Sequence, residues 1–285
     1  ERNRKREVLK EVVIFFSVTI FLSFGIFWGP IAVLKIPTIN LVDGKSGPIW
    51  AIVLFIIGGF VPSIVGILLT GIYEKKEGIK KLMKSSIKYK FSIKWYLLIC
   101  VISLYYAVTL IILYETLGGK FNYTQFLIQL PSIIPLIILG PISEEYGWRG
   151  FALKRLLKCV NANLASLIVG LVWTLWHLPL FYMIGTSQYE SNLPFITFLI
   201  IVTSNSFIYT YIFTATKRSL FSAIIYHWIY TYVLQVVSTT VIRSSLYNWL
   251  EFIPSLLMGV FFAYILHKKE RLAKVSCTSI QETNQ

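Results

Sequence analysis

The sequence predicts an all-α, polytopic membrane helix bundle of about eight transmembrane helices, with both termini on the cytoplasmic side. Three observations carry this expectation. The chain of 285 residues is 56% hydrophobic and only 14% charged, with a mean hydropathy of +0.68. A soluble domain of that length could not cover so much apolar surface with so few charges. Apolar runs recur along it, each of the roughly 20 residues that a helix needs to cross the hydrocarbon core. Finally, the basic residues gather in alternate connections, the asymmetry that orients helices in membranes.

Taken in order, residues 1–11 are a basic cytoplasmic N-terminus and 12–34 a first span. That run is long and no small-residue cleavage site follows it, so a removable signal peptide is not expected. A polar connection holding Asp43, Gly44, Lys45 and Pro48 leads to a second span at 49–73. The stretch 74–94 carries eight lysines. Ile79, Leu82, Met83 and Ile87 recur in it at helical spacing, which reads either as an interfacial amphipathic helix or as a plain basic loop. The third span is 95–114 and the fourth 126–146, interrupted by Pro131, Pro135 and Pro141. Prolines free backbone groups that only protein or a wet cavity can satisfy at membrane depth. A basic, amphipathic segment follows at 151–160, then spans at 163–184, 194–215, 219–242 and 247–266. A polar cytoplasmic tail, 267–285, is expected to be partly disordered. All of this reads as one domain, with no repeat of the kind transporters use.

With this layout the cytoplasmic segments hold 23 of the 27 Lys and Arg, leaving Lys35, Lys45, Lys120 and Arg243 outside. The net charge of +14 therefore reports topology and attraction to anionic membrane lipid, and nucleic acid is not expected as a partner. Cys100, Cys159 and Cys277 share no CxxC spacing, so neither a disulfide framework nor a cysteine zinc site is suggested.

Acids are scarce, 13 in all with Asp43 the single aspartate, which gives weight to Ser143-Glu144-Glu145-Tyr146-Gly147-Trp148-Arg149-Gly150. Ionised groups at membrane depth are costly and are usually kept for function. Neighbouring glutamates on a helix point about 100° apart and cannot share one task. Glu145 precedes Arg149 by four residues, the favourable order for a helical ion pair. Glu144 is left to face a cavity, where a poorly solvated carboxylate suits general-base work. The bland alternative is two solvated glutamates at a helix end. His177 and His227 both fall well inside apolar spans, whereas His267 sits at the cytoplasmic end of the last one. Two buried histidines and a glutamate pair in an otherwise uncharged bundle point to a shared polar site. Two mechanisms stay open. A water may be polarised by Glu144 and a histidine, or Glu144, His177 and His227 hold a zinc ion that does so. No serine or cysteine has the setting of a covalent nucleophile.

At these residues the chain resembles the CPBP family of intramembrane proteases, which includes type II CAAX prenyl endopeptidases and bacteriocin-processing and immunity proteins. The family pattern is EExxxR, FxxxH, then HxxxN or HxxxD on successive helices. Glu144 to Arg149 fits the first motif, Trp173 to His177 the second with Trp for Phe, and His227 to Thr231 the third except at its last position. The resemblance implies that Glu144 and His177 activate water, that His227 and residue 231 stabilise the oxyanion, and that Glu145 and Arg149 support them. It leaves zinc dependence open. Thr231 is the departure that puts catalysis in question, with Tyr230 or Asn205 as substitute donors.

The reading is thus an intramembrane endopeptidase cutting a membrane-associated peptide, prenylated or bacteriocin- or signal-like, in a bacterial plasma membrane with its site toward the cytoplasmic side. The alternatives are a non-catalytic scaffold or bacteriocin-immunity protein of the same fold and, behind it, a transporter with a Glu/His relay.

Overall fold

The computed structural model describes residues 2–38, 46–129, 131, 138–241 and 244–283. The principal helices are α1 (Arg2–Phe21), α2 (Ile49–Ser86), α3 (Ile93–Thr116), α4 (Ser143–Gly147), α5 (Ala162–Trp176), α6 (Phe195–Ala215), α7 (Leu220–Thr240) and α8 (Ile253–Thr283). No strand is assigned among the described residues. The chain is a polytopic bundle, and seven of its described helices are long and apolar enough to cross a membrane. The eighth expected span, 126–146, falls partly outside the described residues, which omit 130 and 132–137. Asp43, Lys45 and Arg243 lie outside them as well.

Outward faces are apolar, as lipid demands: Leu68, Val101, Leu104, Leu257 and Val260 are each largely exposed. Inside, α5 packs on α6, α6 on α8, α3 on α7 and α2 on α4. Without a hydrophobic drive between helices, such contacts rely on close packing through small residues. Gly66 of α2 meets Gly147 of α4 backbone to backbone. A Cβ on Gly147 would stand 2.2 Å from the Pro62 carbonyl oxygen. This contact sets α4, and with it the glutamate pair, against the middle of α2.

The 74–94 stretch is helical to Ser86 and irregular from there to Ser92. At Lys75 the backbone turns left-handed (φ 57°) and breaks α2, after which helix resumes to Ser86. Leu82 is buried, Ile79 and Met83 half-buried, and Ile87, just past the end, exposed. Beside the break, buried Arg155 bonds Glu11 of α1 (2.6 Å) and Glu74 of α2 (2.8 Å), clasping three segments at the basic end. Past residue 267 the helix α8 continues to Thr283.

Candidate active site

Ser143 opens α4, and a π-helical turn, Trp148–Leu153, follows it directly. Widened turns of this type often mark functional sites. They also rotate Arg149 back over Glu145: Nη1 donates to Glu145 Oε1 at 2.8 Å, and both side chains are fully buried. The guanidinium lies between the rings of Trp173 (4.1 Å to the centroid) and Tyr209 (3.6 Å). Those faces attract cations and compensate for the lost water. The expected ion pair is therefore present, and it is packed as a structural element.

Glu145 has a further partner that the spacing did not reveal. His227, from α7, places Nδ1 at 2.7 Å from the same Oε1. A carboxylate accepts, so Nδ1 carries the proton and Nε2 turns toward Gly140. A Cβ on Gly140 would sit 3.4 Å from Nε2, so glycine keeps that nitrogen accessible. Glu144 points elsewhere, as neighbouring helical residues must. Its Oε2 accepts from the Trp173 indole Nε1–H at 2.6 Å. Trp173 stands where the motif has Phe, a ring with no N–H to give; here the replacement restrains Glu144.

His177 caps the end of α5, and its Nδ1–H donates to the Trp173 carbonyl at 2.8 Å. Nε2 is thereby left as the acceptor. Trp176 and Phe198 hold the ring edge-on. One cavity of about 360 Å³ takes its lining from Glu144, His177, His227, Asn205, Tyr230 and Thr231. Thus all the predicted catalytic residues meet there except Glu145 and Arg149, which lie behind its wall. Asn205 is buried in α6, and its Oδ1 accepts from the Tyr226 hydroxyl. That contact leaves the amide N–H₂ as its remaining donor. Thr231 is half-buried on the wall one turn beyond His227. His267, midway along α8, does not line the cavity.

These side chains gather where α4 packs on α2 at Pro62 and Gly66. The cavity continues away from the basic end, past Leu234 and Ser238, to Ser187, Ser191 and Glu251. A zinc ion would need its ligands to converge. Among the described residues no three His, Cys, Asp or Glu side chains do so. Both histidines bond the protein through Nδ1 and keep Nε2 for the cavity, as metal-ligating histidines do, and Glu144 keeps one oxygen. Glu144, His177 and His227 would be the ligands of a metal, although their side chains do not gather around one point in this arrangement.

The family model described as type II CAAX prenyl endopeptidase Rce1-like matches residues 126–233. The central segment of this chain is thus similar to that family. CAAX prenyl protease 2 of Methanococcus maripaludis is 29% identical over 114 residues, which cover 39% of this chain and 41% of that relative. The match thus spans less than half the length of the curated relative. The Rce1-like segment holds the three motifs, from Glu144 to Thr231, so the resemblance read from the residues and these comparisons agree. What sequence reasoning missed is the wiring: the His227–Glu145 and Trp173–Glu144 bonds, and Tyr209 over Arg149. The Trp-for-Phe replacement was the one visible sign of any of them.

Proposed function

We propose that this protein is a CAAX-type intramembrane endopeptidase that hydrolyses a peptide bond by a water activated between Glu144 and His177. The observation that carries the reading is one cavity shared by Glu144, His177 and His227, each drawn from a different helix and each restrained by a bond to the protein. Glu144 takes the proton from water with the oxygen that Trp173 leaves unused, and the Nε2 lone pair of His177 orients that water. Water attacks the carbonyl carbon, the C–O bond forms, and negative charge moves to the carbonyl oxygen. His227 as imidazolium offers Nε2–H to that oxygen, with Glu145 holding the other nitrogen. Asn205, which lines the cavity and whose Oδ1 accepts from Tyr226, is the second donor we assign. Thr231 offers a hydroxyl from the same wall. Glu144 then returns its proton to the leaving amine as the C–N bond breaks.

The substrate is a membrane-associated peptide, prenylated or bacteriocin- or signal-like, in a bacterial plasma membrane. It reaches Glu144 along the cavity from the Ser187–Ser191 and Glu251 end.

The deciding experiment is cleavage of a mixed library of farnesylated and unmodified peptides by the protein in liposomes, beside Glu144→Gln. Products from wild type and none from the variant support hydrolysis. A blank trace from both, with the fold intact, would instead favour a non-catalytic scaffold or immunity protein, the reading that Thr231 supports.

A further inference from the structure

The basic end of the bundle contains a second hollow, of about 650 Å³, on the far side of the glutamate cluster from the site cavity. Three separate connections bring cations to it. The helix after the break at Lys75 supplies Lys81 and Lys84, and the residues just past its end supply Lys88 and Lys90. Lys154 comes from the segment after Arg149, and Lys217 with Arg218 from the turn between α6 and α7. Leu82, Ile87, Phe213 and Leu220 form an apolar floor, and no acid lines the hollow.

Topology alone requires basic residues in these connections, not their convergence on one point. Here they converge against two opposing costs. Lys217 and Arg218 are both left-handed (φ 55° and 57°), a conformation that non-glycine residues disfavour. The turn is nevertheless pinned to the end of α2. Ser85 Oγ donates to the Arg218 carbonyl (3.0 Å), Lys88 Nζ to that of Lys217 (3.1 Å), and Ser219 Oγ to that of Lys88 (2.7 Å). Like charges are thereby gathered in one place. Among the described residues Lys154 alone of the seven has an acidic partner, Glu74 at 3.5 Å. A bound anion relieves that repulsion.

We infer that this hollow binds the phosphate headgroup of an anionic phospholipid, with the glycerol and upper acyl chain on the apolar floor. A lipid, and not a free anion, is indicated by the floor and by the adjoining surface. There Phe91, Trp95 and Tyr96 stand beside Lys90 and Lys94, the aromatic and basic mixture that settles at a membrane–water boundary. This site does not depend on the hydrolase reading.

The test is native mass spectrometry of the full chain with phosphatidylglycerol or phosphatidylcholine. Wild type should retain phosphatidylglycerol at least about tenfold more tightly, since each juxtamembrane cation near such a headgroup contributes about fivefold. Lys217→Gln with Arg218→Gln should abolish the preference, and so should Lys81→Gln with Lys84→Gln, which leaves the strained turn untouched. Arg2→Gln with Arg4→Gln, an equal charge loss on exposed α1, should keep it. Equal losses in all three pairs would mean diffuse charge and would overturn the proposal, as would full retention in both hollow variants. Inorganic phosphate at millimolar concentration should not displace the lipid; displacement would overturn the lipid assignment in favour of a plain anion site.

Discussion

Arg149 and Arg155 leave the same short stretch of chain, and both are buried, yet their surroundings differ in one decisive respect. Arg155 joins Glu11 and Glu74, whose side chains remain 22% and 28% exposed. Arg149 joins Glu145, which has no exposure at all, and Glu145 passes the connection on to His227 and the cavity. Water reaches the first cluster and screens it, so it works as a clasp between α1, α2 and the α4 region. It does not reach the second. There each charge must be matched by a specific neighbour, and the cluster acts as a scaffold that orients a ring. The two arginines show that one residue type serves as fastening or as preorganisation according to the solvation of its partners.

The comparison can be tested from its largest expected effect downward. Glu144→Gln lies outside both ion-pair clusters, and should lower kcat by about 10²–10⁴, the usual worth of a general base, while the thermal midpoint stays in place. A midpoint that fell with activity would show Glu144 to be structural. Arg149→Met leaves a fully buried carboxylate with His227 but without its guanidinium, and the expected loss is about 3–5 kcal/mol in unfolding free energy. Arg155→Met should cost about 1–2 kcal/mol, because its acids keep contact with water. Denaturation of both variants in detergent measures the pair, and equal losses would erase the distinction drawn here.

Smaller effects sharpen the cavity side. Trp173→Phe restores the family's residue, keeps the ring over Arg149 and removes one hydrogen bond to a charged group. It should cost about tenfold in kcat with KM unchanged. Asn205→Ala should cost about as much through a lost oxyanion donor. Thr231→Asn, which supplies the amide of the family pattern, should raise kcat a few-fold; no change would mean that Asn205 already fills the role. Smallest of all, a chelator should leave the rate unaltered, as expected from donors that do not converge on a metal. A rate that collapsed and returned with zinc would refute that reading of the ligand geometry.

Much of this protein was legible before any coordinates. The bundle, its lipid-facing surfaces, the Glu145–Arg149 pair and the gathering of Glu144, His177 and His227 follow from local rules. Apolar length sets a span, helical spacing sets an i to i+4 pair, and the cost of burying charge forces polar residues inward to meet. The break at Lys75 was not legible, because a polar stretch can be loop or helix until its neighbours are known. Nor was the wiring. Trp173 holds Glu144 where α5 comes against α4, and His227 reaches Glu145 from α7, across the bundle. The direction of the cavity and the convergence of Lys81, Lys154 and Arg218 on one hollow are of the same kind. Residue type and spacing along a single helix determine which groups can act. Which groups meet depends on the register between helices, which is fixed by packing across the bundle and has no local trace in the sequence.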